Sequence, residues 1–165
     1  MKKPSKIMAV SAKKAYLLPS AFRAITVFGV AHCNNKKDIE LINSSGNKID
    51  SVIKCHETIH VRQAENTKNS WLLFYLNYLW QWICNLPLIF VSWQMAYLFI
   101  PYELEAYGNE ADFAYAYGVA KKWKWFKKNL SLKQKRKYAK QYKDSLYRFR
   151  DFINQVMIPE MNGEV

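Results

Sequence analysis

Cysteine is scarce in this sequence of 165 residues, which contains only Cys33, Cys55 and Cys84. An odd number of cysteines at spacings that match no CxxC pattern argues against a disulfide framework and against a thiolate zinc site. The basic N-terminal stretch lacks the apolar segment and the small-residue cleavage site of a secretory signal. These absences together predict a protein of a reducing, cytoplasmic compartment.

Acidic residues are also few, since 13 Asp and Glu stand against 25 Lys and Arg, for a formal net charge of +12. The surplus is local, because residues 121–150 contain thirteen basic residues and a single acid, Asp144. Such a surplus indicates an anionic partner and says little about the fold. Half of the residues are hydrophobic, so the chain can form a core and is not expected to be disordered.

No charged residue occurs in the run 69–102. Pro87 divides this run into two parts, each shorter than the ~20 residues that an apolar helix needs to cross a bilayer. Three polar residues recur every four positions in the first part, namely Asn77, Gln81 and Asn85. Because they share one side of a helix, the pattern favours a helical hairpin, Trp71–Ile100, that builds the core within the protein. Membrane contact is the less favoured interpretation.

Local patterns predict a short sheet and a helix before this run. The β-branched and aromatic segment Ala24–Ala31 is predicted to form one strand, and Ile39–Ile42 a second. Asp50 or Ser51 can cap a helix that continues to about Asn66, since either side chain can accept a hydrogen bond from the free amides of the first turn.

A C-terminal helix capped by Ser131 is predicted to end before Pro159 and to extend outward as an arm. Its apolar residues lie three and four positions apart and are Ala139, Tyr142, Leu146, Phe149, Ile153 and Val156. The residues expected to meet an anionic partner are Lys121, Lys122, Lys124, Lys133, Lys135, Arg136 and Lys137. We favour a large protein assembly as this partner, with nucleic acid as the alternative because aromatic residues interleave with the lysines.

The pentapeptide HETIH, residues 56–60, points to metal chemistry. On a helix, His56 and His60 lie one turn apart on one face, so both imidazoles can bind one tetrahedral metal ion. Glu57 is then placed to act as general base toward a water that zinc acidifies. A third ligand must come from elsewhere, and the next carboxylates are Glu103, Glu105, Glu110 and Asp112. Only one of Glu103 and Glu105 can serve, because residues two apart face different sides of a helix.

HETIH followed, after a long insertion, by Glu103-Leu104-Glu105-Ala106-Tyr107 resembles the gluzincin metallopeptidases, whose second helix carries a ligand glutamate in an E-x-x-A-D pattern. The strings HETIHVRQ, Ala96-Tyr97 and PYELEAY are similar to small bacterial and phage zincin-like proteins. The resemblance implies Zn²⁺ bound by His56, His60 and Glu103, with Glu57 as the catalytic acid and base. Tyr107 occupies the place of the family's aspartate, so Tyr107, Glu110 or a backbone carbonyl must orient a ligand histidine.

These inferences predict a small α+β zincin-like domain, helix-rich with a short sheet, and a basic C-terminal helical arm. The predicted divisions are a basic N-terminal extension (1–18), the zincin-like domain (19–118) and the arm (119–165). The resemblance implies zinc-dependent hydrolysis of peptide bonds in a protein or peptide substrate. The alternative is a catalytically idle zincin-fold component of a phage virion, which would place the chain in the virion rather than in the cytoplasm.

Overall fold

A computed structural model of the protein describes residues 9–16, 23–68, 70–119 and 130–163. A three-stranded sheet contains β1 (Ser11–Lys14), β2 (Ala24–Val27) and β3 (Val30–Cys33), in the order β1-β3-β2. The central strand β3 runs parallel to β1 and antiparallel to β2. β1 lies within the residues predicted to form an N-terminal extension, so the sheet begins earlier in the chain than expected. Helices make up most of the remainder, and the architecture is a helix-rich α+β fold with a small sheet.

The single strand predicted at Ala24–Ala31 is a hairpin of two strands. Phe28 and Gly29 form its turn with positive φ angles of 48° and 80°, the backbone that a two-residue hairpin requires. Glycine adopts this backbone without strain, whereas Phe28 is held there by a hydrogen bond from its amide to the hydroxyl of Tyr75 (2.9 Å). The β-branched residues around the turn concealed it in the sequence.

The strand predicted at Ile39–Ile42 is wrong, because this segment lies in helix α1 (Lys36–Asn43). Asn35 caps the helix by accepting a hydrogen bond from the amide of Asp38 (2.8 Å), and its own amide group donates to the Asp38 carboxylate (2.6 Å). Arg23 donates two further bonds to that carboxylate. These polar contacts favour a helix where a short apolar run alone suggested a strand.

The motif helix α2 (Val52–Asn66) has the predicted bounds and is buried along most of its length. Ser51 occupies its N-cap position without a side-chain hydrogen bond. α2 packs against α1, β2 and helix α5 (Pro101–Asn109). Pro101 is tolerated at the start of α5, because the amides of a first turn have no helical partner. This packing brings Glu103, in the first turn of α5, next to α2.

The uncharged run forms α3 (Trp71–Cys84), a 3-10 helix (Leu86–Phe90) and α4 (Met95–Leu98). Two helical parts separated near Pro87 match the prediction, but the expectation that they build the core is wrong for α3. Phe74 is its only fully buried side chain, and most of its leucines are exposed. Within the described ranges, no helix is long and apolar enough to cross a membrane.

The C-terminal residues complete the core and do not extend outward. After a π-helical turn (Tyr115–Val119), they form α6 (Leu132–Lys143), α7 (Phe149–Phe152), a second π-helical turn (Ile153–Met157) and α8 (Ile158–Asn162). Ser131 and Gln134 form the predicted cap of α6 as a reciprocal pair of hydrogen bonds. Buried residues of these elements pack with Leu88, Phe99 and Leu104 in one cluster.

The predicted continuous helix is therefore wrong in two respects. The chain leaves the helix between Asp144 and Arg148, where Leu146 is fully exposed despite its apolar spacing. Pro159 lies inside α8 rather than beyond the last helix, directly after a π-helical turn, an irregularity that commonly accompanies proline within a helix. The apolar spacing persists across the break because both helices turn apolar faces toward the same core.

Lys135, predicted to contact an anionic partner, is an internal residue. It is buried, and its ammonium group donates a hydrogen bond to Asn85 Oδ1 (2.7 Å), while Asn85 Nδ2 donates to the carbonyl of Ala96 (3.2 Å). Lys133, Arg136 and Lys137 are exposed, and their contact with an anionic partner stays a prediction. Lys121, Lys122 and Lys124 lie outside the described residues.

We expect Phe152→Ala to lower the free energy of unfolding by about 3–5 kcal/mol, because it removes a fully buried aromatic side chain from the C-terminal part of the core. Leu146→Ala, in the same part of the chain but fully exposed, should change it by less than about 0.5 kcal/mol. Urea denaturation followed by circular dichroism measures both values. Equal, small effects would show that the C-terminal residues do not belong to the core.

Candidate metal centre

His56, His60 and Glu103 lie together where α2 meets α5. His60 Nε2 is 3.2 Å from Glu103 Oε1, and His56 Nε2 is 3.5 Å from Glu103 Oε2. One ligand atom from each of the three buried residues lies within 4.8 Å of the others. The structure thus brings together the two histidines of HETIH and the glutamate indicated by the resemblance, as a buried group that could hold a metal ion.

The separations between these donor atoms suit a small tetrahedral ion. Two donors that are each 2.0–2.1 Å from a tetrahedral zinc ion lie about 3.3 Å apart. The two measured separations, 3.2 and 3.5 Å, are near this value, and each imidazole faces a different oxygen of the Glu103 carboxylate. The same distances also suit ion pairs between protonated imidazoles and a carboxylate, so the fit to a metal needs further support from the surrounding groups.

The Glu103 carboxylate supplies that support. It is 1 % exposed, and the hydroxyl of Tyr78 donates a hydrogen bond to Oε1 (2.8 Å). Its other oxygen, Oε2, is buried and accepts no hydrogen bond from the described residues. The His56 Nε2 atom lies 3.5 Å from Oε2, too far for a good hydrogen bond. A cation between the two imidazoles would satisfy this buried oxygen better.

The charges around the imidazoles favour a cation at this position. Burial would lower the pKa of His56, but the carboxylates of Glu103 and Glu110 outweigh it and raise the pKa to about 10. Burial likewise opposes a charge on Glu103, yet the nearby His60 and His56 hold its pKa well below the usual range. Glu57 adds a third carboxylate beside the two histidines. A site with more acids than imidazoles attracts a proton or a metal ion.

Each histidine donates a hydrogen bond from its other ring nitrogen to a fixed acceptor. His56 Nδ1 lies 3.0 Å from Glu110 Oε2, and His60 Nδ1 lies 2.8 Å from Gln63 Oε1. A proton held on Nδ1 leaves Nε2 of a neutral ring with a lone pair, so both Nε2 atoms are oriented to bind a metal. Of the candidates for orienting a ligand histidine, which were Tyr107, Glu110 and a backbone carbonyl, Glu110 is the one that bonds to His56. The Tyr107 ring instead packs edge-on against the His56 ring, with centroids 4.5 Å apart.

Gln63 was missed by sequence reasoning, although it belongs to the string HETIHVRQ. It lies three residues after His60 on α2, so the two side chains are neighbours on the helix surface. Its Nε2 donates to the Glu105 carboxylate (2.9 Å) and to the carbonyl of Tyr102 (2.9 Å). Glu105, the alternative ligand, is thus part of this supporting network and points away from the His-His-Glu group.

Glu57 is held against the sheet. The hydroxyl of Thr26, on β2, donates a hydrogen bond to Glu57 Oε2 (2.6 Å). Both residues are buried, so the bond fixes the carboxylate beside His56. The sequence placed Glu57 beside the two histidines but did not indicate Thr26 as its partner.

A cleft of about 370 Å³ reaches His56 and Glu57 from outside. Its walls come from β2, α2, α4, α5 and the C-terminal elements, with Ala24, Tyr97, Tyr107, Tyr142 and Phe149 among the lining residues. Tyr142 and Phe149 were assigned to an outward arm on sequence grounds. Because the C-terminal part folds back, they form one side of the candidate site.

No family model, no curated protein and no solved structure matches this chain.

We expect Gln63→Met to weaken zinc binding by about 10–100-fold, because it removes the acceptor that orients His60 while retaining a side chain of similar length. Competition with a chromophoric zinc chelator measures the affinity. Glu65→Met, on an exposed position of the same helix, is the matched control and should bind zinc as the parent does. An unchanged affinity in Gln63→Met with normal circular dichroism would contradict the orienting role.

Proposed function

We propose that this chain is a zincin-type, metallopeptidase-like protein that binds zinc through His56, His60 and Glu103 and hydrolyses peptide bonds. The observation that carries the proposal is the cleft that reaches both His56 and Glu57 beside an edge strand. The proposed ligand His56, the proposed general base Glu57 and the edge of β2, which could bind an extended substrate, then all border one cleft. The zinc ion would supply Lewis acidity and a water nucleophile that is active at neutral pH.

Glu57 is suited to act as general base toward a water in the cleft. The Thr26 hydroxyl occupies one carboxylate oxygen and fixes the plane of the group. Because Glu57 follows His56 directly on α2 and lines the same cleft, a proton taken from water there could pass to a leaving amine.

The edge strand β2 offers a binding surface for an extended peptide. The amide of Asn34 donates to the carbonyl of Arg23 (3.2 Å), and bonded pairs alternate with non-bonded pairs in an antiparallel ladder. The backbone groups of Ala24 and Thr26 therefore face away from β3, toward the edge that no described strand covers, and Ala24 lines the cleft. A substrate could add there as a further strand above Glu57.

A catalytically idle zincin fold, used as a structural component of a phage virion, is the second candidate. The observation in its favour is the burial of the centre, since His60 and Glu103 do not line the cleft and His56 is only 8 % exposed. A metal held this deeply could serve folding alone. The phage origin is supported only by the resemblance of the motifs, and the virion location depends on it.

We expect Glu57→Gln to lower the rate of peptide cleavage by about 10²–10⁴-fold, because it removes the general base. The zinc content should be unchanged, because Glu57 is not among the three proposed ligands. Metal analysis of the purified proteins, together with a screen of fluorescence-quenched peptides, measures both properties.

Glu65→Gln is the matched control for this substitution, because Glu65 is an exposed glutamate on the same helix. It should retain both the zinc and the activity. Equal zinc in the parent and Glu57→Gln, with cleavage by neither, would reject the peptidase and favour the structural role.

A further inference from the structure

Four basic residues form a stripe along the outer face of α6. They share an arc of about 100° on the helix, as the rotation of 100° per residue requires. They are Lys133, Arg136, Lys137 and Lys140, and all are exposed. The opposite face of α6 packs inward, with Tyr138 and Ala139 in the core and Lys135 bonded to Asn85. The packing of α6 therefore fixes the direction of the basic stripe.

Most of the charge of this stripe is not neutralised by the described residues. Lys137 forms an ion pair with Glu160. No described carboxylate forms an ion pair with Lys133, Arg136 or Lys140. Like charges three or four residues apart destabilise a helix, and the stripe contains four such pairs. An anionic ligand would relieve this repulsion.

The basic stripe borders a groove of about 400 Å³ between α6 and the 3-10 helix. Pro87 on the opposite wall is exposed, and Leu88 lies buried beneath it. Leu132, the first residue of α6, also lines the groove and is 44 % exposed. The buried hydrogen bond from Lys135 to Asn85, the residue before the 3-10 helix, holds the two walls together. The groove is thus preformed, and it offers cations and apolar side chains to one ligand.

The combination of charge and apolar surface indicates the class of ligand. Single-stranded nucleic acid is usually bound through aromatic side chains on which the bases stack, and no described aromatic residue lines this groove. Duplex nucleic acid offers phosphates but no apolar group for Pro87 and Leu132 to contact. An acidic stretch of a protein that includes an apolar residue matches both features of the groove.

The length of the stripe indicates how long this acidic stretch is. Lys133 and Lys140 are seven residues apart, which is about 10 Å along a helix that rises 1.5 Å per residue. An extended peptide covers this distance with about three residues. Two acidic residues and one apolar residue are therefore enough to occupy the groove.

We propose that the groove between α6 and the 3-10 helix binds a short, extended acidic segment of a partner protein. Carboxylates of the segment pair with Lys133, Arg136 and Lys140, and Arg136 can hold one of them with two hydrogen bonds. An apolar side chain of the segment packs against Pro87 and Leu132. Among the described residues, none lines both this groove and the cleft of the candidate metal centre. The proposal does not depend on peptide hydrolysis.

Fluorescence anisotropy of labelled peptides, titrated with the full chain, tests the proposal. The probe repeats Glu-Glu-Leu, and two matched peptides of equal length repeat Gln-Gln-Leu or Glu-Glu-Ser. We expect the Glu-Glu-Leu probe to bind. The Gln-Gln-Leu peptide should bind at least tenfold more weakly and the Glu-Glu-Ser peptide about fivefold more weakly, because each lacks one of the two kinds of contact. Added salt should weaken binding of the probe.

A triple variant tests the contribution of the cations. Lys133→Gln, Arg136→Gln and Lys140→Gln together should weaken binding of the Glu-Glu-Leu probe by about tenfold at physiological ionic strength, because three ion pairs with the ligand are lost. The substitutions also remove the repulsion between like charges, so the variant should resist urea at least as well as the parent.

The matched control removes equal charge elsewhere. Lys14→Gln, Lys37→Gln and Lys48→Gln are substitutions of exposed residues outside α6. Together they should leave binding of the probe within about twofold of the parent, since charges beyond a Debye length are largely screened.

A single substitution tests the apolar contact. Leu132→Ser should weaken binding of the Glu-Glu-Leu probe by about fivefold and leave binding of the Glu-Glu-Ser peptide unchanged, because that peptide has no apolar side chain to lose the contact. Leu146→Ser, at a fully exposed leucine outside the groove, is the control and should bind both peptides as the parent does. Circular dichroism verifies that each variant is folded.

Three results would overturn the proposal. The first is no binding of the Glu-Glu-Leu probe by the parent. The second is an equal loss in the triple variant and in its control, which would show a general attraction to the net charge. The third is tighter binding of a labelled oligodeoxythymidine or of duplex DNA than of the probe, lost in the triple variant, because the groove would then contact nucleic acid.

Discussion

The carboxylate of Glu103 is the constraint around which the helices are arranged. A charged group with 1 % exposure is stable only if neighbouring groups compensate its charge. α2 contributes the imidazoles of His56 and His60, and α3 contributes the hydroxyl of Tyr78. Three helices must therefore meet at this one point. A second layer then fixes the imidazoles, with Glu110 from the end of α5 and Gln63 from α2 itself.

The parts of the site that could be predicted are those set by local geometry. His56 and His60 share a helix face because they lie four residues apart, and no knowledge of the fold is needed to conclude this. Glu103 was selected by the resemblance, since composition and spacing left Glu105 open. Thr26 and Gln63 escaped prediction for another reason. Their roles depend on which strand and which helix face meet in the folded chain, and the sequence does not contain that information in a local pattern.

The errors in the predicted fold have a common physical origin. A short apolar run is compatible with a strand and with one face of a helix, and at Ile39–Ile42 the cap formed by Asn35 favours the helix. Apolar spacing of three and four likewise reports which residues face a core but not whether the helix is continuous. Ile153 and Ala139 both face the same cluster, although the chain turns between them. Leu146 fits the spacing and yet is exposed.

In the uncharged run, the contacts of one face of α3 determine that the other face is exposed to solvent. Tyr78 and Phe74 must face inward, because the first bonds to Glu103 and the second packs against Tyr102 above the motif helix. The remaining side chains of α3 cannot also turn toward the core, and they are nearly all apolar. Lys135 shows the converse at α6, where a basic residue is kept inside to bind Asn85 while its neighbours stay in solvent. The exposed apolar face of α3 is therefore a consequence of how the His-His-Glu group is built, and the exposed cations of α6 follow from the inward position of Lys135.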